Sequence, residues 1–168
     1  MNKMAKNSVH VVPFRRKREG KTNYRRRLTL LRSGKLRVVI RKSLKFIQIQ
    51  LIKYEPDGDK VLLTVHSREL KKYGWDGSYV NLPASYLTGL LFGIKARDYK
   101  EGIVDFGMQT VIKGNKLYAA LKGVVEAGFS IPHDPSVFPP ESRLVGEHIN
   151  KDLVNQVNSI KEKILKEN

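Results

Sequence analysis

The chain has 168 residues, 32 Lys and Arg against 16 Asp and Glu, a net charge of +16 and no cysteine. The missing thiols exclude disulfides, thiolate zinc sites and thiol catalysis. No apolar run approaches the ~18 residues of a membrane span or has the form of a signal peptide, so a soluble intracellular protein of one domain plus extensions is expected.

The charge is unevenly placed. Residues 1–53 hold 17 Lys and Arg and a single acid, Glu19, whereas residues 54–168 hold 15 of each sign. A surplus of one sign confined to the front third of a balanced chain implies a polyanionic partner.

Residues 1–21 have few apolar side chains and are broken by Pro13 and Gly20. They read as a basic extended arm that orders on its partner; at ~3.3–3.6 Å per residue it would reach tens of ångströms. Residues 22–34 read as a basic helix over Asn23–Ser33, with Thr22 as N-cap and Gly34 just past the end. Tyr24, Leu28 and Leu31 form one stripe expected to hold the body. Arg25, Arg26, Thr29 and Arg32 lie beside it, facing a phosphate backbone.

Residues 35–129 read as the α/β core. Strands are expected at Leu36–Lys42, Lys45–Ile52 and Lys60–His66. Alternation places Leu36, Val38 and Ile40 opposite Arg37, Val39 and Arg41, and Ile47, Ile49 and Leu51 opposite Phe46, Gln48 and Gln50. An antiparallel meander with one buried and one polar face follows. A helix is expected from Pro83 to Gly102, with Gly89 and Gly93 allowing close packing against a strand. A short buried strand at Ile103–Phe106 and a helix within Asn115–Gly128 complete a single α/β domain of order β-β-β-α-β-α. Residues 130–149 read as a proline-rich surface loop. Residues 150–168 form a last helix whose stripe of Leu153, Val157, Ile160 and Ile164 must bury on the parent domain or a neighbour.

Catalytic signals are weak. The tripeptide Asp105-Phe106-Gly107 stands without the other parts of a kinase. Gly20-Lys21-Thr22 lacks the earlier glycine of a phosphate loop. His10, His66, His133 and His148 share no ligand spacing, and Asp98 and Glu101 read as a solvated helix end. No catalytic residue, metal ligand or cofactor is expected.

Arginine dominates the basic segment, at Arg15, Arg16, Arg18, Arg25, Arg26, Arg27 and Arg32. Its guanidinium fork grips phosphate and stacks on bases, with Phe14 and Tyr24 nearby as possible stacking rings. Such an arm and helix suit a folded RNA recognised by shape and backbone better than a DNA groove.

The run FRRKREGKTNYRRRLTLLRSGKLRVVIRKSLKFIQIQLI, followed by HSRELKKYGW, NLPASYLTGLLFGIKA, YAALKGVVEAGFSIPH and FPPESRLVGEHI, resembles the 5S-rRNA-binding protein family of the large ribosomal subunit, universal family eighteen. The likeness covers about residues 8–149, and the IPH…FP…R…GEHI extension places it in the archaeal–eukaryotic branch, with an archaeal source suggested by the length. The resemblance implies a non-enzymatic cytoplasmic scaffold, one copy per ribosome. It would bind 5S rRNA and tie it to 23S rRNA at the central protuberance, beside the other 5S-binding protein, with neither membrane nor DNA as partner. It also implies RNA contacts at Arg15, Arg16, Lys17, Arg18, Lys21, Thr22, Tyr24, Arg25, Arg26, Arg27 and Arg32, and on the sheet at Arg37, Arg41, Lys42, Ser43 and Gln48. Leu44 stands where that pattern has a polar residue. Two other readings of the residues are an RNA-processing nuclease with a basic substrate arm and an RNA-binding protein outside the ribosome.

Overall fold

The structure is a computed structural model that describes residues 11–166. The expected arm residues 1–10, including His10, and residues 167–168 of the last segment lie outside the described residues.

Four strands form one sheet: β1 (Leu36–Lys42), β2 (Ile47–Lys53), β3 (Lys60–His66) and β4 (Gly102–Asp105), in the order β3-β2-β1-β4. β1 pairs antiparallel with β2, and β2 with β3, as the meander requires. β4 joins parallel to β1 at the edge, setting Val39 opposite Asp105. Cross-strand pairs such as Ile40 with Ile49 and Val38 with Leu51 share the inner face, where all four side chains are fully buried together with Ile47 and Val65. The period-2 reading therefore holds on that face. β2 starts two residues later than expected, because Ser43 closes the β1–β2 turn by donating to and accepting from the backbone of Phe46.

Two helices cover the inner face. α3 (Leu82–Lys95) begins at Asn81, whose side chain accepts from the Ala84 N–H, with Pro83 in its first turn. It is buried from Leu82 to Ile94, and the hydroxyl of Thr88 is satisfied by the Ala84 carbonyl. The expected continuation to Gly102 is corrected: the helix stops at Lys95, and Gly102 opens β4. Asp98 and Glu101 thus lie outside any helix, and Glu101 pairs with Lys35.

α4 (Lys116–Glu126) starts at Asn115, which caps the Leu117 and Tyr118 N–H groups. It packs tightly on α3, and glycines make that possible. A Cβ on Gly89 would overlap the Ala120 carbonyl, and one on Gly93 would strike Ala127. These glycines therefore serve a helix–helix contact, not the expected helix–strand contact. Gly123 faces them from α4; a Cβ there would lie 2.7 Å from the Leu90 nitrogen. Helix propensity alone favours alanine over glycine by about 1 kcal/mol, but backbone cannot yield as a flexible side chain does. Gly123→Ala is accordingly expected to destabilise the protein by a net ~1–3 kcal/mol, read as a lower urea midpoint with an unchanged m-value.

The proline-rich segment is not wholly irregular. It contains a 3-10 turn at Pro135–Val137 and a short helix α5 (Glu141–Val145) that packs on α3. The last helix, α6 (Lys151–Lys166), turns Val157, Ile160 and Ile164 into the core, with Leu153 half-buried. It docks on its own domain, against α3, α5 and the 3-10 helix Ser67–Tyr73. Lys161 to Glu126 at 2.6 Å and Gln156 to the Gly74 carbonyl at 2.9 Å seal its edge. Among the described residues no helix is long and apolar enough to cross a membrane.

Candidate nucleic-acid interface

The outer face of the sheet and the basic segment meet, but not as their sequence pattern suggests. Residues 15–18 form a helical turn, α1 (Arg15–Arg18), where an extended arm is expected. Phe14 meets Tyr24 edge-on at 5.5 Å, and the Phe14 carbonyl accepts from the Lys17 and Arg18 N–H groups. Gly20, at φ +66°, then reverses the chain, so residues 14–24 fold back on themselves. Glu19, the lone acid, lies 2.9 Å from Lys21 and 3.7 Å from Arg15.

The helix α2 (Tyr24–Leu31) is shorter than Asn23–Ser33, and its N-cap is Asn23, which accepts from the Arg26 N–H. Thr22 instead accepts from the Arg16 guanidinium at 2.9 Å. Gly34 adopts φ +66° just past the end, as expected.

The apolar stripe of α2 does not hold the body. Tyr24 is 38% and Leu28 53% exposed, and no residue of the helix is buried. Long arginine side chains make the attachment. Arg26 donates to the Gly107 carbonyl at 3.1 Å, and Arg27 reaches both oxygens of Asp59 at 2.8 Å. The helix consequently stands off the sheet.

Arg37 requires the largest correction. Alternation places it on the polar face beside Arg41, as a contact for RNA. It does lie on that face, but it is only 2% exposed. Its Nη2 donates to Asp59 at 2.6 Å and its Nη1 to Asp105 at 3.2 Å. A buried guanidinium persists only when so paired, and the pairing removes Arg37 from the accessible surface.

Arg41, half-buried, hydrogen-bonds the Asp105 backbone carbonyl and lies 3.4 Å from its carboxylate. Asp105 also accepts from the Gly107 N–H at 2.7 Å, fixing a turn in which Gly107 has φ +63°. The Asp105-Phe106-Gly107 tripeptide is thus a structural clasp between the edge strand, Arg37, Arg41 and α2. Partial burial works to raise the Asp59 carboxyl, but hydrogen bonds and charge from Arg27 and Arg37 outweigh it and hold that group below its ordinary value.

The remaining expected contacts fall into two groups. Arg15, Lys17, Arg18, Arg25 and Arg32 are exposed on the outer side of α1 and α2. Among the described residues, Lys17, Arg18, Arg25 and Arg32 have no side-chain partner. Lys42 and Ser43 lie at the hairpin end, exposed beside Leu44, which is 95% exposed. Gln109 clamps the Lys42 backbone through both its N–H and its carbonyl. Gln48, half-buried on the outer face, sits opposite Arg41 and His66.

Sequence reasoning missed Asp59 and Asp105 as organisers of the basic face. Each is remote in the chain from the arginine it holds; only the Asp-x-Gly spacing at residues 105–107 hinted at a turn. No group of three or more His, Asp or Glu that could hold a metal occurs among the described residues. The interface offers cations and backbone-fixed turns, which bind and orient a polyanion.

Comparison with known proteins agrees with this chemistry. Residues 8–101 match the family described as ribosomal large subunit proteins 60S L5, and 50S L18. The chain is 52% identical over 168 residues to a protein of Methanothrix thermoacetophila named large ribosomal subunit protein uL18, covering 96% of this chain and 99% of the relative. Proteins of the same name from Methanococcoides burtonii and Methanococcus maripaludis are 47% and 49% identical, covering 98% and 95% of this chain and 99% and 81% of the relatives.

Proposed function

Because the chain belongs to the L5/L18 family of large-subunit ribosomal proteins, whose members are ribosome components and not enzymes, we propose that it binds 5S rRNA and attaches it to 23S rRNA in the central protuberance. One copy acts per ribosome, in the cytoplasm, beside the other 5S-binding protein. The observation that carries this reading is the row of exposed arginines on α1 and α2, without protein partners among the described residues, on a body whose own charges balance.

The work is positioning. Exposed Arg15, Lys17, Arg18, Arg25 and Arg32 neutralise phosphates, and the guanidinium fork gives each contact direction. Arg26 and Arg27 fix the height and angle of α2 above the sheet, so the cations are presented in one arrangement. Lys42 and Gln48 extend the surface along the hairpin. Recognition of this type reads the shape and backbone of folded RNA.

Its signature is ionic. With ~6–10 phosphates engaged, affinity for 5S rRNA is expected to fall ~10³–10⁵-fold between 50 and 200 mM salt, on the duplex scale. Gel-shift titration of the full chain at several salt concentrations measures that slope. Incubation with 5S rRNA and magnesium separates the scaffold, which leaves the RNA intact in a stable complex, from a nuclease, which yields fragments. Co-sedimentation with large subunits in high-salt gradients separates it from a free RNA-binding protein. A flat salt dependence, or binding to tRNA as tight as to 5S rRNA, overturns the reading.

A further inference from the structure

The gap between α2 and the sheet encloses a cavity of about 210 Å³. Arg16 and Lys21 of the folded-back arm, Arg26 and Arg27 of the helix, and Arg37 and Arg41 of the sheet line it, against only two acids, Asp59 and Asp105. Both acids are already engaged by Arg27, Arg37 and Arg41. The lining therefore carries a surplus of four positive charges.

One atom in this wall lacks what it needs. Arg37 uses its two terminal nitrogens on Asp59 and Asp105, but its Nε is buried with no hydrogen-bond partner. A buried donor of a charged group without an acceptor is rare and costly. The missing group is an acceptor, and the surrounding charge makes an anionic acceptor favourable. No aromatic ring lines the cavity, so it offers a nucleobase no face to stack on. It suits a tetrahedral oxyanion, to which guanidinium forks from three sides can donate.

We infer that this cavity is a phosphate subsite, in which one phosphodiester of bound RNA seats between α2 and the sheet and accepts from Arg37 Nε. The occupant joins arm, helix and sheet through one group, so that binding locks α2 at its stand-off height. The Asp59 and Asp105 carboxylates hold the arginines in place before it arrives. This deepens the RNA-binding reading and rests on it for the identity of the occupant, whereas the affinity for phosphate does not.

The test uses the full chain labelled with nitrogen-15 and follows the Arg37 Nε–H resonance by NMR. Inorganic phosphate, added against chloride at matched ionic strength, is expected to move that resonance saturably. Arg16→Gln should weaken the apparent affinity severalfold, while Arg143→Gln on α5 leaves it unchanged. In the complex with 5S rRNA the resonance is expected to be displaced already and to ignore added phosphate. If phosphate still titrates Arg37 in that complex, the occupant is a free anion and the RNA seat is refuted. If neither phosphate nor RNA moves the resonance while gel shifts show binding, the subsite is refuted and the 5S assignment stands. A phosphate response without RNA capture refutes the 5S assignment and leaves the subsite intact.

Discussion

Reversing Arg25, Arg26 and Arg27 together to Glu is expected to lower affinity for 5S rRNA by at least about 10³-fold near physiological salt, because three phosphate contacts become three repulsions. The structure divides this effect into two parts. Arg25 has no protein partner among the described residues, so Arg25→Glu alone reports contact with RNA. Its effect on the urea midpoint should be negligible, as for other exposed sites without special roles. Arg27→Glu does more: it sets a carboxylate against Asp59, where a bidentate pair now holds the helix. Arg26→Glu likewise loses the bond to the Gly107 carbonyl. The triple variant should therefore lose affinity while its α3–α4 core stays folded, as judged by circular dichroism and urea titration. Unaltered 5S capture by the triple variant would remove the basis for assigning binding to this face.

Asp105→Ala is expected to be the most destabilising single change on the basic face. It strips a partner from Arg37, releases Arg41 and frees the Gly107 N–H. Removing one member of a buried ion pair typically costs 3–5 kcal/mol, because the charge left behind is neither solvated nor matched. Asp59 still faces Arg37, which places the expected loss toward the lower end, about 3 kcal/mol, in urea unfolding. Asp105→Asn, which keeps an acceptor for Gly107 but not the charge, should fall between. Combining Asp105→Ala with Arg37→Met should recover much of the loss, since the uncompensated charge is then gone. A double variant no more stable than Asp105→Ala would show that the turn at Gly107, not the buried charge, carries the effect.

The expected results depend on features that differ in how far sequence exposes them. The strands of the meander were readable because Ile47, Ile49 and Leu51 repeat at period two, and burial of one face enforces that register. The last helix was readable from Val157, Ile160 and Ile164, although not the surface it covers. The helix end at Lys95 was not readable, because residues 96–101 carry no proline and their one strong breaker, Gly102, belongs to the next strand. Gly89 and Gly93 announced a close approach without saying to what; the partner, α4, lies some thirty residues on.

The sequence by itself determined the segregation of charge, the family, the strand and helix periods and the absence of thiol chemistry, since these reside in residue type and local spacing. Only the tertiary structure decided that Arg37 is a buried strut while Arg25 is a free cation, that α2 is held by salt links instead of its apolar stripe, and that α6 folds onto its own domain. The reason is physical: the state of a charged side chain depends on which opposite charges reach it. Asp59 and Asp105, 22 and 68 residues from Arg37, reach it only once the sheet has closed.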